Sequence, residues 1–241
     1  MKIIAVIPAR YEASRFPGKL MKKLGEKSVI ATTYENVVET DLFDEVLVAT
    51  DSEIIFDEIQ NIGGRVVMTG EHETGSDRIA EAVQDVDCDI VVNVQGDEPF
   101  LKKEPLAQLI KVFKTDDKKE ISLASLKIKL TEKEEIENPN NVKVITDLQG
   151  FAMYFSRAVI PFHRDKEMEA EYFKHIGVYA FRKEALVKFA NLPITPLEKL
   201  EKIECIRYLE NGMKMKLLET EFIGVGIDTP EDLEKARILI K

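Results

Sequence analysis

A chain of 241 residues, 44% of them apolar, is long enough for one large α/β domain or a domain with a subdomain. A formal net charge of −10 argues against a nucleic-acid binder, because no basic stripe is available to neutralise phosphates. The two cysteines, Cys88 and Cys205, stand far apart without CxxC or Cys/His spacing, so neither a disulfide framework nor a zinc site is expected. No apolar run approaches membrane-spanning length, and the opening run, with one lysine and Pro8, reads as a core strand and not a signal peptide. The expectation is a soluble, cytoplasmic protein with no membrane partner.

The first predicted strand is Ile3 to Ala9, an apolar run that breaks at Pro8 and opens into a segment carrying Arg10, Arg15 and Lys19. Buried parallel strands read as continuous apolar runs, and open α/β sheets bind ligands beyond the carboxyl ends of such strands. Three cations delivered there, with Gly18 permitting close backbone approach, suit a polyphosphate. The spacing is not that of a Walker A loop. A surface loop with scattered cations is the competing account of this stretch taken alone.

Val29, Ile30, Thr33, Val37 and Val38 form one helical face, and Glu45 to Thr50 is a second buried strand. Asp51-Ser52 caps a helix running to Ile62, stopped by Gly63-Gly64. Arg65 to Met68 is a strand, Asp77 to Val83 a helix, Ile90 to Val94 a strand and Pro105 to Lys114 a helix. Such alternation predicts an α/β fold with a mainly parallel sheet flanked by helices. The run Asp116 to Glu120 reads as a solvated loop. Beyond it the character changes: Ser122 to Lys129 is a part-alternating strand, and Val142 to Thr146 with Phe151 to Ser156 a hairpin. His175 to Phe181 is a strand, Leu197 to Glu210 a helix stopped by Asn211-Gly212, and Thr229-Pro230 the N-cap and first residue of a last helix.

Asn93 to Pro99 places the acidic pair Asp97-Glu98 directly after an apolar strand, at the edge that carries Arg10 and Lys19. Carboxylates beside polyphosphate-binding cations make sense when a hard divalent ion bridges them, since Mg²⁺ takes one or two carboxylates plus phosphate oxygens. A capping aspartate is the plainer account of one such site. Val225 to Thr229 supplies a second, ending another apolar stretch in Asp228, while Thr229 already fills the capping role.

These segments together resemble the 3-deoxy-manno-octulosonate cytidylyltransferases, also called CMP-Kdo synthetases. The resemblance runs from Ile7-Pro8-Ala9-Arg10 with Ser14-Arg15 and Pro17-Gly18-Lys19, through Ala49-Thr50-Asp51 and Gly75-Ser76-Asp77-Arg78, to Asn93–Pro99 and Ile145-Thr146-Asp147. It continues through Tyr154-Phe155-Ser156-Arg157 with Ile160-Pro161, His175 to Tyr179, and the closing Gly226 to Pro230. Departures are Leu20 in place of a proline, Thr74-Gly75-Ser76-Asp77-Arg78 in place of Ser-Gly-Thr-Asp-Arg, and Cys205-Ile206 in place of Gln-Leu. All of them keep the charged groups.

The resemblance implies a Rossmann-like nucleotidyltransferase over 1–241, with a small β-rich dimerisation subdomain at about 142–181 and a homodimer as the assembly. It implies transfer of CMP from CTP to the anomeric hydroxyl of 3-deoxy-D-manno-octulosonate (Kdo) for lipopolysaccharide biosynthesis, with Mg²⁺ as cofactor. Arg10, Arg15 and Lys19 would hold the triphosphate, and Asp97 and Asp228 the metal, with Lys19 near the leaving pyrophosphate. Gln95 and the backbone at Ala9 would edge the nucleotide and sugar sites, and Arg157, His175, Tyr179, Glu204 and Glu201 would meet the sugar. Structural roles compete for His175, Tyr179 and Arg157, and Asp77 with Arg78 reads either as an ion pair or as a ligand contact. Two alternatives stand beside this reading: a cytidylyltransferase for another acidic sugar such as sialate, and a non-catalytic sugar-nucleotide binder. The second has no need of two separated metal carboxylates.

Overall fold

The opening run forms β1 (Ile3–Ala9), in which every residue except Pro8 is buried. Burial of both alternating sets of side chains means that the strand is covered on both faces. The computed structural model describes residues 1–12, 16–72, 74–221, 224 and 226–240; Arg15 lies outside them. The chain divides into two compact units, 1–106 with 223–241, and 107–222. The stretch 142–181 falls inside the second.

In the first unit, β1 is followed by a short 3₁₀ turn at Lys19–Met21 and by the two-stranded antiparallel hairpin β2 (Lys23–Leu24) and β3 (Lys27–Ser28). Then come α1 (Val29–Glu39), β4 (Glu45–Thr50), α2 (Glu53–Asn61), β5 (Val66–Met68), α3 (Gly75–Ala82) and β6 (Ile90–Asn93). The strand order is β6-β1-β4-β5, every pair parallel, with Val6 facing both Leu47 and Asn93 in register. Helices α1, α2 and α3 pack on these strands. This is the helix-flanked parallel sheet that the alternating pattern predicts. Helix α1 starts at the N-cap Ser28, whose hydroxyl accepts from Ala31 N at 3.2 Å, and buries Val29, Ile30, Thr33 and Val37. Val38, expected on that face, is 47% exposed, because its position has turned past the apolar stripe.

Helix α4 (Lys103–Lys114) leads to the second unit, which contains β7 (Leu123–Leu130), α5 (Lys133–Glu137), β8 (Lys143–Thr146), β9 (Ala152–Ser156) and β10 (Tyr172–Arg182). It continues with α6 (Lys183–Ala190), α7 (Pro196–Glu201), α8 (Cys205–Glu210) and β11 (Met215–Glu219). Strand β11 runs parallel to β7, which is antiparallel to β10; β8 pairs antiparallel with both β9 and β10. The predicted hairpin is thus β8–β9. The single helix expected over 197–210 is instead two, because Lys202 takes the left-handed conformation (φ 54°) and ends the first. No glycine marks that break. The charged run at 116–120 also differs from expectation at one end: the Asp116 side chain is only 8% exposed. It accepts from Arg182 Nη2 at 2.6 Å and from the amides of Glu120 and Ile121.

The chain then returns to the first unit with α9 (Pro230–Leu239). Its start is as the sequence predicts, with Pro230 at the first turn and Thr229 and Asp232 forming a reciprocal capping box. Among the described residues, no helix is long and apolar enough to cross a membrane.

Candidate functional site

Parallel register brings the carboxyl ends of β1, β4 and β6 to one edge of the first unit's sheet, and the chemistry gathers there. A cleft of about 430 Å³ opens at that edge, lined by Ala9 at the end of β1, Arg10 just after it, Lys19, Gln95 and Asp97 after β6, and Asp228 before α9. The turn after β6 lies hard against β1. A Cβ on Gly96 would sit 3.1 Å from Ile30 and 3.3 Å from the Pro8 carbonyl, and Thr33 Oγ1 donates to the Gly96 carbonyl at 2.9 Å. A side chain at Gly96 would press on Ile30 and Pro8, so glycine lets the turn that carries Asp97 lie this close to the first strand. On the other side, Gly18 adopts φ +66° and its amide donates to the Tyr11 carbonyl at 2.9 Å, closing the cationic loop just ahead of Lys19.

Lys19 is the hub. Its ammonium makes a short ion pair with Asp97 and donates to Asp228 Oδ1 at 2.9 Å. Its side chain is 14% exposed against 45% for Asp228, so Asp228 forms the open side of the cluster. The two aspartates are also joined through the backbone, since Ile227 N donates to the Asp97 carbonyl at 2.9 Å. Burial acts to lower the Lys19 pKa, but Asp97 and then Asp228 outweigh it and hold the ammonium above its usual range.

Glu98 was not singled out from the sequence as a site residue, although it is half of the acidic pair. Burial, with the charges of Asp97 and Asp228 adding to it, pushes its carboxyl up to about 7. Among the described residues, Glu98 Oε2 is buried without a hydrogen-bond partner. A folded-state pKa above the unfolded value means that the folded chain binds the extra proton, so stability from this group falls as pH rises from about 4.5 to about 7. Glu98→Gln is accordingly expected to stabilise the metal-free protein at pH 8.5, with the gain shrinking towards pH 5. Urea midpoints of both proteins at the two pH values measure this; a difference independent of pH would remove Glu98 from the cluster.

The flank of the cleft is built by α3. Its N-cap Thr74 accepts from Asp77 N at 3.2 Å and donates to Asp77 Oδ2 at 2.8 Å. Asp77 is thereby committed to the helix start, and Arg78 does not pair with it. The buried Arg78 guanidinium instead reaches Asp51 Oδ2 at 2.5 Å and Thr69 Oγ1 at 2.6 Å, with one edge lining the cleft. Phe16, Leu20 and His72 also line it and were not foreseen; His72 makes a short contact with Glu81, which in turn accepts from the Gly70 amide.

The residues matched to a sugar site lie in the second unit. Arg157 and Glu201 come together: the Glu201 carboxylate accepts from Ser156 Oγ at 2.6 Å and from Arg157 N at 3.0 Å. The Arg157 guanidinium donates to the carbonyls of Glu201, Pro139 and Lys202 at 2.8, 3.0 and 3.3 Å. Three of its five N–H groups are so used. His175 and Tyr179 also meet, with ring centroids 5.4 Å apart, across a bulge in β10. The Ser125 hydroxyl lies 2.9 and 2.8 Å from the carbonyls of Ile176 and Val178 on that bulge, either of which can accept its one proton, and 2.9 Å from His175 Nε2. Burial lowers the His175 pKa to about 4, so the ring is neutral at pH 7. The Tyr179 hydroxyl lies 3.1 Å from Cys205 Sγ; burial raises its pKa well above the ordinary value and pushes the Cys205 thiol up to about 12. Glu204 is the N-cap of α8.

A family model described as cytidylyltransferase matches residues 4–215 of this chain. A 3-deoxy-manno-octulosonate cytidylyltransferase from Christiangramia forsetii is 62% identical over 240 residues, covering 99% of this chain and 97% of the relative. One from Flavobacterium johnsoniae is 59% identical, covering 100% and 99%. Among solved structures, a CMP:2-keto-3-deoxy-manno-octonic acid synthetase complexed with CTP superposes with a TM-score of 0.93 at 36% identity, covering 100% of this chain and 98% of its own. A cleft built from a cationic loop, an aspartate after β6 and an aspartate before α9 thus sits in a chain whose curated relatives match it over its whole length, and the chain belongs to the 3-deoxy-manno-octulosonate cytidylyltransferase family.

Proposed function

We propose that the protein transfers CMP from CTP to the anomeric hydroxyl of Kdo, releasing pyrophosphate, as a cytoplasmic step in making the activated sugar for lipopolysaccharide. The convergence of Lys19, Asp97 and Asp228 at the sheet edge carries the reading, because it puts cations for a triphosphate beside carboxylates for a metal. Full-length similarity to enzymes of that name supports the choice of substrates.

The donor set fits Mg²⁺. Two carboxylates on separate segments already share one cation, and the residue after Asp97, Glu98, has a buried carboxylate oxygen without a hydrogen-bond partner among the described residues. Asp97 and Asp228 would hold the ion, which supplies neutralisation of the triphosphate and a lowered pKa for the attacking hydroxyl. The chain's own part is positioning and charge. Arg10, and Arg15 outside the described residues, bind phosphate oxygens, while Lys19 offers a positive charge where pyrophosphate develops. Gln95 and the Ala9 backbone edge the cleft against the nucleotide and sugar. In the second unit, the two N–H groups left on Arg157, the neutral His175 ring, Tyr179, Glu201 and Glu204 are the groups assigned to an acidic, hydroxyl-rich sugar. Pyrophosphate release with CTP and Mg²⁺, run across a panel of acidic sugars, is the test. Turnover with Kdo far above sialate is expected, and release with sialate alone would overturn the assignment.

The second unit carries exposed apolar side chains on and after the β8–β9 hairpin, among them Leu148, Met153, Phe162 and Met168. They support a homodimer formed through the 142–181 stretch. Sedimentation at twice the 27.4 kDa protomer mass is expected, and a monomer at micromolar concentration would remove the proposal.

A further inference from the structure

We infer that Lys19 is an internal counter-cation that occupies the metal carboxylates of the nucleotide-free protein and must leave them before a divalent ion can bind. This rests on the reading of Asp97 and Asp228 as metal ligands. The geometry is direct. One ammonium contacts a carboxylate oxygen of each aspartate, Asp97 in a short ion pair and Asp228 at 2.9 Å. Both carboxylates are therefore aimed at a single point, and a cation already stands on it. A divalent ion and an ammonium cannot share those oxygens, because two cations in contact within a half-buried cluster repel strongly.

Something must neutralise the cluster when no metal is present. The carboxylates of Asp97 and Asp228 both contact one ammonium, so two acidic groups meet in a small volume. The Lys19 ammonium pairs with both of them. The same side chain lines the cleft, alongside Arg10. A lysine stem has four rotatable bonds, so its ammonium can swing from the carboxylates to an anion in that cleft without moving the backbone. A triphosphate arriving with its metal supplies both parts of the exchange: a divalent ion for the carboxylates and an anionic landing for the ammonium. Metal and nucleotide then bind with a favourable coupling to which Lys19 contributes, and the metal alone binds weakly because it has to evict the lysine.

The experiment uses Mn²⁺ as the probe, with free Mn²⁺ followed by electron paramagnetic resonance, on the nucleotide-free full chain. Lys19→Met is expected to bind Mn²⁺ at least about tenfold more tightly than the native protein, within the usual range of coupling between sites. Lys19→Arg, which keeps a cation in place, is expected to bind it as weakly as the native protein. A non-hydrolysable CTP analogue should then narrow the gap between native and Lys19→Met. Mn²⁺ should also raise the melting temperature of Lys19→Met more than that of the native chain. Equal or weaker Mn²⁺ binding by Lys19→Met, while native binding is lost in the Asp97→Asn/Asp228→Asn variant, would overturn the exchange and leave the metal site standing. Binding to every protein no tighter than to that double variant would overturn the metal site and the exchange with it. If Lys19→Met does not fold, Lys19→Gln carries the same expectations.

Discussion

Replacing Asp97 or Asp228 by asparagine is expected to abolish turnover while leaving the fold intact. Each substitution keeps shape and removes charge at the point where the cationic loop meets the segments after β6 and before α9. Loss of a metal-held orientation costs several kcal/mol of barrier, or roughly a thousandfold or more in rate. The backbone links at both positions survive the change, since they use the Asp97 carbonyl with Ile227 N and the Asp228 amide with Asp232. Far-UV circular dichroism and pyrophosphate release at saturating Mg²⁺ check the two halves of this expectation. A near-normal rate in either variant would remove that aspartate from the site.

The second large effect concerns stability. Helices α7 and α8 are each shorter than an isolated helix needs to be, so packing must hold them. Arg207 on α8 and Glu198 on α7 do this across the break at Lys202. Nε donates to Oε2 at 2.7 Å and Nη2 to Oε1 at 2.5 Å, with the side chains only 5% and 9% exposed. The guanidinium also lies 4.3 Å over Phe189, whose ring stacks on Tyr208 at 3.9 Å. Arg207→Ala is expected to cost about 3–5 kcal/mol, because it strands a buried carboxylate. Arg207→Met combined with Glu198→Leu removes both charges together and should recover much of that loss. Urea denaturation of the three proteins is the measurement. A loss below about 1 kcal/mol for Arg207→Ala, the range of an exposed pair, would show that the pair is solvated.

Much of this protein is written locally. The apolar runs at Ile3–Ala9, Glu45–Thr50 and Ile90–Asn93 are of strand length, and a sheet covered on both faces buries them. Alternation with helices makes the strands parallel, and that alone carries Arg10, Lys19 and Asp97 to one edge. The start of α9 is equally local, since Thr229, Pro230 and Asp232 satisfy its first amides among themselves. Partner choice is not local. Lys19 finds Asp97 and Asp228 across 78 and 209 residues, and Arg78 passes over the adjacent Asp77 for Asp51, because an ion pair follows distance in space and Asp77 is already bound to Thr74. Nor does the sequence mark the break at Lys202, where a left-handed residue without glycine is held by the packing of α7 against α8. The same holds for Asp116, which looks like solvated surface until Arg182 folds back onto it. Apolar period and cap chemistry are properties of neighbouring residues and can be read in order; the pairing of charges is decided only when distant segments are brought together.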